Sequence, residues 1–219
     1  LRRVLCQFQK MPSKSKVQLK DIGLDIGLAF AKHVYKTDYL HYGIWPEGLK
    51  VEPANVLEAQ TNYADLLLEN IPAGVESILD VGCGSGHAVN VMGAAFPNSN
   101  FVGIDFSEEA INVAREESQR MELKNVSFQV QDAAQLTEIE RYDFITTFDA
   151  VHDQAKPRDM VNGIFKSLKP DSFWLCADLC ASSHLGENLD HPIGTFGYTV
   201  SCMHCMLSLI HISEPTRPY

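Results

Sequence analysis

The chain has 219 residues, of which 45% are apolar and 21% charged, and a net charge of -10 at neutral pH. That length holds one α/β domain with a full core and a modest extra segment. The negative charge repels long polyanions, which argues against nucleic acid as a partner and tilts the reading toward a small or neutral substrate.

Residues 1–20 read as a leader, expected to be disordered, and carry the only basic cluster, Lys10, Lys14, Lys16 and Lys20. The opening Leu1 to Cys6 is too short, and followed by too polar a stretch, to be a signal peptide. It lacks an initiator Met, so the N-terminus is expected to be incomplete. No apolar run is long enough to span a bilayer.

Residues 21–72 read as a helical N-terminal segment. Ile22, Leu24, Ile26, Leu28, Ala29, Phe30 and Val34 mix two periods and favour a helix near 24–35. Tyr39, His41, Tyr42 and Trp45 follow as an aromatic loop. Pro53-Ala54-Asn55 then opens a helix to about Glu69, with Val56, Leu57, Tyr63, Leu66 and Leu67 as its apolar positions.

Residues 73–178 alternate strand and helix. Ser77 to Val81 reads as a buried strand and His87 to Phe96 as a helix. Phe101 to Asp105 is the second strand. Ser107 is a good N-cap for a helix to Met121, whose first turn carries Glu108 and Glu109. Val126 to Val130 and Tyr142 to Thr147 are the third and fourth strands. Arg158 to Leu168 is a helix with Met160, Val161, Ile164, Phe165 and Leu168 on one face, and Ser172 to Ala177 is the fifth strand. Strands separated by helices imply a parallel sheet with right-handed crossovers. The alternation ends after Asp178.

The first strand runs into Asp80-Val81-Gly82-Cys83-Gly84-Ser85-Gly86 and feeds a helix, which is a nucleotide-site pattern. Glycine lets the backbone turn tightly and approach a ligand closely, and the helix start behind it offers free amides. The dinucleotide fingerprint places a third glycine five residues after the first; here that position is His87. Asp80 puts a carboxylate beside the turn, which repels a diphosphate and suits a cationic or amine-bearing ligand. Asp105 ends the second strand, where an acid can accept hydrogen bonds from both ribose hydroxyls. At the end of the third strand, Gln131-Asp132-Ala133 offers a carboxylate and an amide to an adenine edge.

These motifs resemble those of the class I S-adenosylmethionine-dependent methyltransferases: Leu79 to Gly86 looks like their first motif, and Asp105 and Asp132 match the acids that follow. Leu168-Lys169-Pro170-Asp171 is similar to the turn before their fifth strand, where Gly-Gly is more usual than Asp171-Ser172. Phe148 to Gln154 and Asp190 to Phe196 more closely resemble a bacterial-type group of small-molecule methyltransferases. The resemblance implies a Rossmann-like α/β sheet of seven strands, C-terminally truncated here to five, with residues 73–178 binding S-adenosyl-L-methionine and 179–206 opening a substrate-side insertion.

It also implies roles. Gly82, Cys83, Gly84 and Gly86 shape the turn, and Asp80 lies near the methionine moiety. Asp105 holds the ribose and Phe106 flanks the adenine. Gln131, Asp132 and Ala133 meet the base, and Phe148 starts the loop where the methyl group meets its acceptor. Tyr42-Gly43-Ile44-Trp45 resembles a stretch that closes over the cofactor, with His41 beside it; the other reading is a packing cluster. His152 is the candidate general base, since imidazole acts near neutral pH, or else a brace of its loop.

The six cysteines are scattered, which suits a reducing cytoplasm. Cys202 and Cys205 have a CxxC spacing but no second pair to complete a metal site, so no metal is expected. Residues 207–217 resemble a translated sequencing adapter, so 207–219 are expected to be non-native and the missing strands to leave the fifth as a bare, insoluble edge. The expected partner is a small-molecule acceptor, and neither nucleic acid nor membrane. The competing functions are a non-catalytic cofactor-binding module or inactive fragment, and a nicotinamide-dependent oxidoreductase, against which the glycine spacing counts.

Overall fold

The computed structural model describes residues 43–178, together with His33, Lys36, Ser182, 184–190, Gly194, Tyr198 and Thr199. The leader, nearly all of the helix near 24–35, the segment 201–206 and the tail 207–219 lie outside the described residues.

A turn of 3-10 helix at Pro53–Asn55 leads into α1, Val56–Glu69. The alternating part follows: β1 Ser77–Val81, α2 His87–Ala95, β2 Asn100–Asp105, α3 Glu108–Arg120, β3 Val126–Val130, β4 Tyr142–Phe148, α4 Pro157–Ser167 and β5 Leu168–Ala177. The five strands form one sheet in the order β3-β2-β1-β4-β5, and every pairing is parallel. The expected Rossmann-like class is therefore observed. Ser107 caps α3, its hydroxyl accepting from the Ala110 amide at 3.2 Å. Among the described residues no helix is long and apolar enough to cross a membrane.

Alternation along each strand splits the core into two layers. Ile78, Phe101 and Phe144 face α2 and α3, where they meet Val89, Met92, Ile111 and Ala114. Leu79, Val81, Ile104 and Ile145 face α4 and meet Met160 and Ile164. Strands covered on both faces read as nearly continuous apolar runs, as Ser77–Val81 does. The exception within β1 is Asp80.

Three sequence expectations fail in detail. Phe165 is 78% exposed, not inward. The buried stripe of α4 is Met160, Gly163, Ile164 and Ser167, and Phe165 falls one helical step off it. In α1 the buried residues are Ala59 and Gln60, while Leu57 and Leu66 are exposed. The strand β5 begins at Leu168 rather than Ser172. Leu168 pairs with Tyr142, and Phe173 with Phe144, so the Lys169 to Ser172 turn becomes an excursion within the strand. Asp171 takes a left-handed φ of 62° there.

Asp143 staples the opening ends of three strands. Its Oδ2 accepts from the Ser77 hydroxyl at 2.7 Å and the Ser77 amide at 3.0 Å, and its Oδ1 accepts from Lys169 Nζ at 2.8 Å. Partial burial works to raise its pKa, but the Lys169 and Ser77 donors outweigh it and hold the carboxyl at about 2. A depressed folded pKa contributes stability above the unfolded value near 4, lost as pH falls through 2. Asp143→Asn should cost about 1 kcal/mol in urea unfolding at pH 7, with the gap to wild type closing between pH 4 and pH 2.

Gly86 opens α2 at φ 73°. A Cβ there would lie 2.4 Å from Ala114 Cβ and 2.6 Å from the Phe128 ring. Gly86→Ala adds left-handed strain to an overpacked contact, and denaturant unfolding should show a loss of about 3 kcal/mol.

Candidate functional site

The strand order reverses at β1, which lies between β2 and β4. In open α/β sheets the ligand crevice lies at the carboxyl ends of the strands at such a point. The residues leaving those ends are Gly82, Phe106, Gln131, Asp149 and Asp178.

The turn after β1 is tied to β2. The Gly82 and Cys83 amides both donate to the Ile104 carbonyl, at 2.9 and 3.0 Å, and the Gly86 amide returns to the Cys83 carbonyl at 2.9 Å. The glycines do different jobs. A Cβ on Gly82 would press Ala150 at 2.6 Å, whereas Gly84, at φ 53°, has nothing within 4 Å of where its Cβ would be. Its backbone therefore faces open space. Cys83 contributes its backbone to the turn and its half-buried side chain to the core; burial, reinforced by Asp80 and Asp105, pushes its thiol well up, away from reactivity.

Asp105 is fixed by the turn it faces. Its Oδ2 accepts from the Gly84 amide at 2.9 Å and its Oδ1 from the Ser107 amide at 2.8 Å. Each carboxylate oxygen has a second lone pair, so the group is oriented with capacity left over. Phe106 beside it is 51% exposed. Asp132 caps the turn Ala133–Gln135, accepting from the Ala134 amide and Gln135 Nε2, each at 2.9 Å. The Gln131 amide donates to the Asp105 carbonyl at 2.8 Å, and Ala133 is buried.

Asp80 is 2% exposed. Its Oδ1 accepts from the Thr146 hydroxyl at 2.7 Å, directly across the β1–β4 register. Burial pushes its pKa up to about 7, with Thr146 opposing and Asp105 adding to the rise. A buried carboxylate in that state is one an organic cation would stabilise.

At the ends of β4 and β5 the chain gathers a second group. Phe148, half-buried, closes β4 and packs on the Ile78 and Phe144 layer. Asp149 follows at φ 49°, and its amide donates to the Ala177 carbonyl at 2.9 Å. His152 Nδ1 lies 2.5 Å from Asp178 Oδ1, and its Nε2 lies 3.6 Å from Asp153 Oδ1. Asp149, His152 and Asp178 bring donor atoms within 4.8 Å of one another. Burial raises the Asp149 carboxyl, Asp178 and Asp153 reinforce it, and His152 opposes. Tyr63, from α1, is pushed up to about 12 by burial and by Asp149, Asp178 and Cys176.

Neither Tyr63 nor Asp178 stood out in the sequence as a site residue. The signal for Asp178 was its place at a strand end; Tyr63 read as one more apolar position of a helix.

Of the aromatic segment, His41 and Tyr42 lie outside the described residues and Trp45 is half-buried. Gly43 and Ile44 form a strap on α1. The Ile44 amide donates to the Ala59 carbonyl at 2.8 Å, and a Cβ on Gly43 would come within 2.4 Å of the Ala59 backbone. That backbone-to-backbone approach explains why Ala59 and Gln60, rather than the larger apolar residues, are the buried positions of α1.

The chain resembles known proteins over this region. It is 29% identical over 157 residues to the O-methyltransferase cnsE of Penicillium expansum, covering 70% of this chain and 53% of that protein. It is 27% identical over 128 residues to a ubiquinone biosynthesis O-methyltransferase of Coxiella burnetii, covering 58% and 52%. The chain thus spans about half the length of these relatives. Among solved structures, the YcgJ protein of Bacillus subtilis matches with a TM-score of 0.52 at 28% identity, over 57% of this chain and 53% of that one. The (4+2)-cyclase SpnF shares the fold with a TM-score of 0.57 at 22% identity, over 72% and 59%. A family described as a methyltransferase domain matches residues 74–202, from ahead of β1 to beyond β5, and the chain belongs to that family.

Proposed function

We propose that this domain binds S-adenosyl-L-methionine over the Gly82–Gly86 turn and directs its methyl group to a small-molecule acceptor. The observation that carries the reading is the pairing of an open backbone turn with two carboxylates of different kinds. Asp105 is oriented by the Gly84 and Ser107 amides, as binding a ribose diol requires. Asp80 is buried with a raised pKa, as suits a site where an ammonium arrives. Gly84 leaves room for the ligand. The donor set fits a nucleoside bearing an amino acid better than a dinucleotide, because the carboxylate under the turn would oppose a diphosphate.

In this reading Asp80 pairs with the methionine amine and the Gly82, Cys83, Gly84 and Gly86 backbone carries the methionine arm. Asp105 holds the ribose, Phe106 covers the adenine, and Gln131, Asp132 and Ala133 line its edge. Phe148 bounds the methyl end. His41, Tyr42 and Trp45 have the cofactor-covering role that the resemblance gives them. The cofactor supplies an activated methyl on a sulfonium with a thioether as leaving group. The protein's share is to orient the acceptor, exclude water, and take a proton where the acceptor has one to lose. His152 serves that last step. The O-methyltransferase relatives support the reaction class. Free thiols at Cys83 and Cys176 support a cytoplasmic setting.

Titration calorimetry with S-adenosylmethionine, its demethylated product and NAD tests the reading: the first two should bind and NAD should not. Only the Asp80 carboxylate pairs with an ammonium, so affinity should rise from pH 6 to pH 8 and then level. Asp80→Asn should flatten that profile and weaken binding by about tenfold. The same variant should melt higher than wild type at pH 8. A folded pKa raised above the unfolded value makes the wild type lose stability as pH climbs from about 4 to about 7. Gly84→Ala meets no neighbour and should cost only about 1 kcal/mol of stability, while lowering cofactor affinity through its Cβ.

A further inference from the structure

We infer that Thr146 is a positioning residue for the cofactor: its hydroxyl engages one oxygen of Asp80 and leaves the other to the ammonium of the methionine arm. The inference rests on the methyl-transfer reading and on Asp80 as the partner of that ammonium.

The sheet register sets up the pair. Asp80 lies directly opposite Thr146 on β4 and directly opposite Gly103 on β2. Of these two neighbours only Thr146 has a side chain that can donate. It donates to Oδ1 at 2.7 Å, a length usual for a hydroxyl on a charged oxygen. Thr146 is fully buried and Asp80 nearly so, which keeps solvent from replacing the bond. Oδ2 takes no hydrogen bond among the described residues. Asp80 shares its face of β1 with Ile78, and the helix packed on that face, α2, presents apolar Val89 and Met92. The titratable groups near Asp80 are Asp105 at the end of β2 and Cys83 in the turn, and neither brings positive charge.

The hydroxyl therefore has a task beyond filling space. Burial and Asp105 both favour a proton on Asp80, and the Thr146 hydroxyl is the group that opposes them, because a donor bonds the ionised carboxylate more strongly than the neutral acid. With Oδ1 engaged, the proton belongs on Oδ2, the oxygen left for the ammonium. Proton and ammonium then compete for one place. Removing the hydroxyl strengthens the hold of the proton and moves the pH at which the amino-acid arm binds upward. The adenosine half, held through Asp105, does not share in that change.

The test uses the full chain and titration calorimetry from pH 6 to pH 8.5 with two probes. One is S-adenosylhomocysteine, the demethylated product. The other is 5′-methylthioadenosine, which keeps the nucleoside and the thioether but has no amino-acid arm. In the wild type the first should bind more tightly as pH rises, with a midpoint near pH 7, and the second should bind equally at every pH. Thr146→Val should raise the midpoint by about one pH unit, weaken S-adenosylhomocysteine about fivefold at pH 7 and less than about twofold at pH 8.5, and leave 5′-methylthioadenosine unchanged. Thr146→Ser keeps the hydroxyl and should keep the wild-type midpoint. Thr146→Ala removes the same hydroxyl with less bulk and should shift the midpoint as valine does, so the comparison stands even if the valine variant fails to fold.

A midpoint unmoved by loss of the hydroxyl, or a loss of affinity equal at every pH, would make Thr146 a brace of the sheet and overturn the inference. So would an equal loss for 5′-methylthioadenosine, or a midpoint shifted as far in Thr146→Ser as in Thr146→Ala. A wild type that does not bind S-adenosylhomocysteine overturns the methyl-transfer reading itself. One that binds it with no pH dependence overturns the pairing of Asp80 with the ammonium. Both outcomes differ from a wild-type slope that the variants leave in place.

Discussion

The Ile104 carbonyl accepts two amides from the turn after β1, those of Gly82 and Cys83. That pair of bonds fixes where the rest of the site can be. It draws the turn over β2, so the Gly84 amide reaches the Asp105 carboxylate, and it aims the first turn of α2 at α3. Gly86 then has to pass between Ala114 and Phe128, where even a methyl group would collide. A turn bonded to its own strand alone could sit at several angles; bonded to the neighbouring strand, it has one.

The polar groups at the strand ends fall into two sets with different chemistry. On the β1–β2 side each carboxylate is held by specific donors, Thr146 for Asp80 and two amides for Asp105. On the β4–β5 side Asp149, Asp153 and Asp178 crowd around one imidazole, and the carboxyl of Asp149 is driven up by burial, with Asp178 and Asp153 reinforcing it. Under the proposed function the first set receives donors and positive charge on the ligand, and the second takes a proton from the acceptor. The two sets lie on either side of the point where the sheet order reverses. The loops carrying them are set by the parallel register.

Much of this was legible in the residue order. β1 and β3 begin and end at the expected residues because their apolar runs are bounded by a turn or a cap on each side. α3 begins where Ser107 said it would, since a hydroxyl at the N-cap satisfies an amide that nothing else can reach. The helix faces were read less well. Phe165 and Leu57 are apolar and yet exposed, because the stripe a helix buries is decided by what packs against it. For α1 that is a glycine-bearing strap, and for α4 it is Leu136 pressing on Gly163. Asp132 was expected only as a reader of adenine; its local role, capping the turn that follows, comes from a short-range bond that any Asp in that position can make.

By itself the sequence determined the class of fold, the order of its elements, the turn that approaches a ligand and the acids at the ends of β2 and β3. All of these depend on local periodicity, on glycine, and on residues a fixed number of positions apart. Tertiary structure alone decided that Asp80 is fully buried against Thr146, that the Gly43 strap lies on Ala59, and that His152 meets Asp178. Those contacts join residues 16, 26 and 66 positions apart. Their distances are set by sheet order and register, which no local pattern encodes.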